Sequence, residues 1–200
     1  MRTRRVLTTA IVLAATVVLV VSVTQSSEQG SNPPPSPQAS AGWTPGPPGI
    51  GTPAPEVSGQ AVQGGEQRLS TLLGKVVVLG FVSTGIAGTG PAAEKSKGQL
   101  VVLRSMSTQY QPRGATTLVI DAEGTGDNRH DELVNFTYDT NLPFPLLAGR
   151  QATEAAATYG VRQVPAVVVI DRNGRIAHRW DGYAPPAQLA AVLEQLCDPK

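Results

Sequence analysis

The sequence predicts one mixed α/β domain carried behind an apolar N-terminal segment and a proline-rich spacer. Three observations lead there. Residues 1–23 hold an 18-residue run without charge behind three arginines. Residues 24–51 are crowded with Pro, Ser and Gly. From Thr52 onward, apolar runs of strand length alternate with stretches of helical periodicity, the pattern of a layered α/β domain.

The N-terminal segment opens on Arg2, Arg4 and Arg5 and continues as Val6–Val23. As a helix it would span roughly 27 Å at ~1.5 Å per residue, close to a ~30 Å hydrocarbon core. The apolar region of a cleaved signal is usually ~7–15 residues. No well-placed Ala-x-Ala follows, since Ala39–Ala41 lies too far downstream. The segment is therefore expected to be a signal anchor, with a cleaved signal peptide as the alternative. In either case the arginines favour the cytoplasm and the rest is translocated. The domain is then tethered outside the cytoplasmic membrane, or secreted after cleavage. The spacer contains Pro33-Pro34-Pro35 and Pro47-Pro48. Such a stretch buries too little apolar area to offset its ordering entropy, and it is expected to be a disordered, semi-stiff linker.

In the domain, Gln60–Gln63, Gly64-Gly65 and Gln67–Leu69 read as a hairpin, and Leu69–Leu73 as a helical turn ending at Gly74. Lys75–Val82 is continuously apolar past its lysine, as in a central strand buried on both faces. Leu100, Leu103, Met106 and Tyr110 recur at helical spacing, so Ala92–Tyr110 is a helix, with Pro91 suited to its first position. Thr116–Asp121 is the next strand, Asn128–Thr140 a helix, Phe144–Leu147 a short strand and Thr153–Tyr159 a short helix. Ala166–Ile170 and Arg175–Trp180 flank Asp171-Arg172-Asn173-Gly174, a hairpin signal. Pro186–Leu196 closes the domain as a helix with Leu189, Val192, Leu193 and Leu196 on one face.

Composition excludes several function classes. Charged residues are 16% and the net charge is +1, without the clustered basic face that nucleic acid requires. Cys197 is the only cysteine, which removes any internal disulfide framework or Cys-rich zinc site. His130 and His178 lie far apart with no third ligand near them in sequence, so no metal is expected. Gly85-x-x-x-x-Gly90 matches half of a phosphate-binding loop, but Pro91-Ala92 stands where Lys and Ser/Thr are needed. No cofactor is expected. Asp121 and Glu123, at a strand end, read as solvated turn carboxylates.

Three stretches together carry a family resemblance. They are Gly74–Thr84, Tyr159-Gly160-Val161-Arg162-Gln163-Val164-Pro165, and Val168–Ile176. In this order and spacing they resemble the thioredoxin superfamily, and more narrowly the exported TlpA/ResA-like and AhpC/TSA redoxin group. The resemblance covers Thr52–Leu196. It implies a thioredoxin-like fold, a central mixed sheet flanked by helices, with Val164-Pro165 cis beside the redox site. It also implies a thiol–disulfide oxidoreductase lineage. Members place Cys-x-x-Cys directly after the first core strand, where the N–H groups of a helix end lower a thiol pKa. Here Ile86 and Thr89 occupy those two positions, and neither is a usable nucleophile. Whether the chain is an enzyme is left open by that departure.

The departure leaves two interactions open, beside a purely structural role for the Val164-Pro165 turn and for the protein as a whole. The resemblance implies that the backbone before the cis-proline pairs with an extended peptide, a contact that needs no thiol. Gly85, Gly88, Val164 and Pro165 are therefore candidate binding residues for a peptide or protein, and exposed loop N–H groups are candidates for an anion or peptide carboxylate. Cys197, at the end of the last helix, is either an inert thiol or the link in a disulfide dimer. Residual redox work through Cys197 or a partner's thiols is the alternative function.

Overall fold

The computed structural model describes residues 46–125 and 127–198. The Val6–Val23 run and the spacer up to residue 45 lie outside the described residues. Among the described residues no helix is long and apolar enough to cross a membrane.

The frame is a five-stranded mixed sheet. A hairpin of β1 (Ser58–Gln60) and β2 (Glu66–Arg68) precedes it. The sheet is built from β3 (Val76–Val82), β4 (Ala115–Asp121), β5 (Leu146–Leu147), β6 (Ala166–Ile170) and β7 (Ile176–Trp180), in the order β5-β4-β3-β6-β7. β3 runs parallel to β4 and antiparallel to β6. Every residue of β3 is buried, as an unbroken apolar run requires of a central strand. Its side chains alternate between two cores: Val76, Val78 and Val82 face one, Val77, Leu79 and Phe81 the other.

Helices cover both faces. α1 (Pro91–Tyr110), α2 (His130–Asp139) and α4 (Pro186–Cys197) contribute Leu100, Leu103, Met106, Tyr110, Leu133, Leu189 and Leu193 to the first core. α3 (Gly149–Thr158) contributes Ala152, Ala155 and Ala156 to the second, together with Val57 and Leu69. Gly80 lies on the α1 face of β3, where a Cβ would stand 2.5 Å from Leu103 Cδ1. The missing side chain is what lets α1 lie this close to the sheet.

Several boundaries differ from the sequence expectation, each for a physical reason. The hairpin is present, but its strands end at Gln60 and begin at Glu66. Ala61 and Val62 leave it to meet β5, with Val62 N–H donating to Leu146 O at 2.8 Å. β5 is only two residues long, and Pro145 beside it has no N–H for a ladder. α3 starts at Gly149, earlier than Thr153. Extended Ala148 caps it without any side-chain bond, so no cap residue marks the start. The expected second helix divides into a 3-10 turn over 127–129 and α2.

Gly46–Gly51 belong to the same compact unit as the domain. Gly51 N–H donates to Ile176 O at 2.7 Å, Ile176 N–H to Thr52 O at 3.0 Å and Ala54 N–H to Gly174 O at 2.9 Å. This segment lies against the start of β7 and the turn before it. Pro53, bridged to Arg175 there, lacks the N–H with which a further strand could pair, which blunts the edge.

Candidate functional site

The C-terminal end of β3 leads directly into the site. Ser83 and Thr84 are buried beneath the following loop. Ser83 N–H donates to Ser96 Oγ at 2.9 Å, fastening the strand end to α1. The Ser83 hydroxyl donates to the Glu123 carboxylate in a short bond, and Gly85 N–H donates to Ser83 Oγ at 3.2 Å. Thr84 Oγ1 meets Thr125 Oγ1 at 3.2 Å.

Asp121 corrects its sequence reading. It is 0% exposed, because β4 pairs up to Val82 and carries the side chain under the loop. Its Oδ2 accepts Thr125 N–H at 3.1 Å, while Oδ1 has no partner among the described residues. Glu123, two residues on, is exposed as expected.

The loop over residues 85–90 is held at one end and open at the other. Gly85 has φ +76°, and a Cβ there would meet Ala93 Cβ at 3.2 Å, so both conformation and space favour glycine. Ile86 is half-buried against the core, and its carbonyl accepts a short bond from the Arg129 guanidinium. Ala87, Gly88 and Thr89 are exposed, with open space around Gly88. α1 starts only at Pro91, so Ile86 and Thr89 lie in the loop ahead of the helix, not in its first turn.

Two adjoining cavities make the site a groove. One, of about 350 Å³, is lined by Ala87–Ala93 and Glu123. The other, of about 430 Å³, is lined by Ala92, Lys95, Ala122, Glu123 and Val161–Val164. They share Ala92 and Glu123, so the groove runs from the loop to the Val164-Pro165 segment. That peptide bond is cis. Pro165 is buried and Val164 half-buried. Neither the N–H nor the C=O of Val164 has a hydrogen-bond partner among the described residues.

Tyr159, at the start of the segment that leads to Val164-Pro165, is fixed in the second core. The Tyr159 ring is fully buried against Phe81 at 5.5 Å, and its hydroxyl donates to Pro55 O at 2.7 Å. Burial, with the Glu56 charge adding to it, raises the phenol pKa far above its ordinary value. Arg179 donates to the carbonyls of Tyr159 at 2.5 Å and Gly160 at 3.3 Å.

Cys197 is remote from this groove. It is 5% exposed, packed with Leu189 and Leu193, and its backbone carbonyl accepts from Arg172 at 3.1 Å. Burial pushes its thiol pKa up. A disulfide to a second chain through Cys197 would require the end of α4 to open.

Of the residues singled out from sequence, the structure brings Gly88, Thr89 and Val164 to one groove, while Gly85, Ile86 and Pro165 adjoin it in sequence and do not line it. Glu123, Lys95, Arg162 and Ser83 were not singled out as site residues. They come from four separate segments, and only the fold joins them.

A central mixed sheet of this order, with a cis-proline facing the loop after β3, defines a thioredoxin-like domain. The family model of the AhpC/TSA family matches residues 50–179. The chain belongs to the AhpC/TSA family. It is 24% identical over 147 residues to the thiol-disulfide oxidoreductase ResA of Bacillus cereus, covering 74% of this chain and 78% of that one. ResA of Bacillus anthracis matches at the same identity and coverage. Among solved structures, the thioredoxin domain of a thiol-disulfide oxidoreductase from Bacteroides vulgatus aligns with TM-score 0.61 at 15% identity, over 75% of this chain and 99% of that one. Peroxidoxin BcpB from Mycobacterium tuberculosis aligns with TM-score 0.57 at 20% identity, over 74% and 95%.

Proposed function

We propose that this protein is a redox-inactive, peptide-binding member of the thiol-disulfide oxidoreductase lineage, tethered outside the cytoplasmic membrane by Val6–Val23. One observation carries the binding reading: among the described residues Val164 has an N–H and a C=O without partners, on a groove that runs to Thr89. A half-buried backbone pair without partners favours an extended chain that completes it by strand addition. The loss of dithiol chemistry rests on the sequence itself, since neither Ile86 nor Thr89 can form a thiolate and Cys197 is buried elsewhere. The tether reading rests on the three N-terminal arginines and the uncharged run behind them.

The test has two arms on the full chain. Thiol-dependent insulin reduction should be at background, with or without Cys197→Ser. In amide NMR, an extended hexapeptide should move the Val164 resonance and those of Ala92 and Arg162. Insulin reduction that disappears in Cys197→Ser would establish the redox alternative. Peptide titrations that leave Val164 unmoved would remove the binding reading.

A further inference from the structure

We infer that the groove selects acidic segments, and that Lys95 and Arg162 are the residues that set this preference. The inference rests on the peptide-binding reading and adds the class of peptide. Lys95 comes from the first turns of α1 and Arg162 from the approach to Val164-Pro165, and both line the same 430 Å³ cavity. Both are exposed, and neither forms an ion pair among the described residues.

That lack of pairing distinguishes them. Neighbouring cations are already matched: Lys97 with Glu94 at 2.8 Å, Arg129 with Glu132 at 3.8 Å and Arg179 with Asp181 at 2.6 Å. Among the described residues, the carboxylate that lines the groove is Glu123, and it accepts the Ser83 hydroxyl. A chain paired with Val164 would place alternate side chains towards the groove walls. Acidic side chains there would meet two free cations and one hydrogen-bonded carboxylate. Basic side chains would meet two like charges.

Exposed charge pairs are weak individually and screened by salt. The expected discrimination is accordingly modest, about threefold to tenfold between acidic and neutral peptides at low ionic strength. It should shrink towards unity when salt shortens the screening length to roughly 3–4 Å.

The probes are three acetylated, amidated hexapeptides in which valine alternates with aspartate, glutamine or lysine. Their affinities for the full chain in nonionic detergent are measured by titration calorimetry at low and high salt. The expected order is aspartate over glutamine over lysine. The aspartate-to-glutamine ratio should collapse in the Lys95→Gln/Arg162→Gln double variant. It should rise in Glu123→Gln, which removes the opposing carboxylate. Equal affinities for the three peptides would overturn the charge preference while leaving the peptide groove standing. A preference that persists unchanged in the double variant would overturn the assignment to Lys95 and Arg162. Failure of all three peptides to bind would overturn the groove itself, and the preference with it.

Discussion

Pro47 lies directly on Gly160. A Cβ at Gly160 would overlap Pro47 Cβ and come within 3.2 Å of its Cγ and 3.3 Å of its Cα. Gly160 also has φ +64°, a conformation that disfavours any side chain. The proline-rich segment thus packs against the same short stretch that positions Val164. Gly160→Ala should release Pro47 and strain the turn, lowering stability by about 1–3 kcal/mol. Urea unfolding would measure the loss. Limited proteolysis should show faster cleavage near residues 46–50 than in the wild type. Unchanged cleavage there would mean that Pro47 is not held by this contact.

Gly80 makes a second glycine-dependent approach, inside the core. Leu103 fills the space that a side chain on β3 would need. Gly80→Ala should force α1 away from the sheet, with an overpacking loss of about 1–3 kcal/mol. Pairing it with Leu103→Ala should recover part of that loss, because the added methyl then enters the space vacated. Additive losses in the double variant, read from urea midpoints, would contradict direct contact.

Much of this frame was legible in the sequence. Val76–Val82 announces a strand buried on both faces because no polar residue interrupts it. The spacing of Leu100, Leu103, Met106 and Tyr110 marks the buried stripe of α1. Site residues behave differently. Glu123 reads as an ordinary turn carboxylate, and nothing local says that Ser83, forty residues earlier in sequence, will donate to it. Asp121 looks solvated because it ends a strand, yet the strand pairs far enough to carry it under the loop. Pro47 and Pro48 look like spacer because composition reports how stiff a segment is and not what it rests on.

The last turn of α4 is tied down by charge. Arg113 pairs with Glu194 at 3.2 Å and closely with Asp198, and Tyr110 Oη donates to Glu194 at 2.9 Å. The Arg113 hydrogen bond, then the Tyr110 one, hold the Glu194 carboxyl below its ordinary range. The unfolded chain then binds this proton more readily than the folded one. The contribution is present above the ordinary carboxylate pKa and is lost as pH falls through the depressed folded value. Glu194→Gln should therefore destabilise at neutral pH, with the difference from wild type narrowing towards strongly acidic pH. Parallel stability curves down to acidic pH would show that Glu194 titrates as in the unfolded chain.

Cys197 should behave as a core side chain. Its burial and raised pKa both suppress thiolate formation. Ellman's reagent should react with the native protein slowly near neutral pH, and rapidly once denaturant is added. Non-reducing electrophoresis of the native protein should show monomer. A disulfide dimer formed without denaturant would mean that the end of α4 opens readily.

The loop at Thr89 permits a direct test of how cysteines introduced there would behave. Thr89 lines the same cavity as Glu123 and precedes the first helical residue, Pro91. A thiolate at position 89 would face a carboxylate as well as the positive end of α1, and the two act on its pKa in opposite directions. In Ile86→Cys/Thr89→Cys, the thiol at 89 should therefore remain near the ordinary ~8.5 for cysteine. Adding Glu123→Gln should lower it, since the opposing charge is gone while the helix end stays. Thiol absorbance against pH would follow both variants. A strongly depressed value before Glu123 is changed would mean that the helix end alone governs the loop. An unchanged value after Glu123→Gln would mean that this carboxylate does not reach position 89.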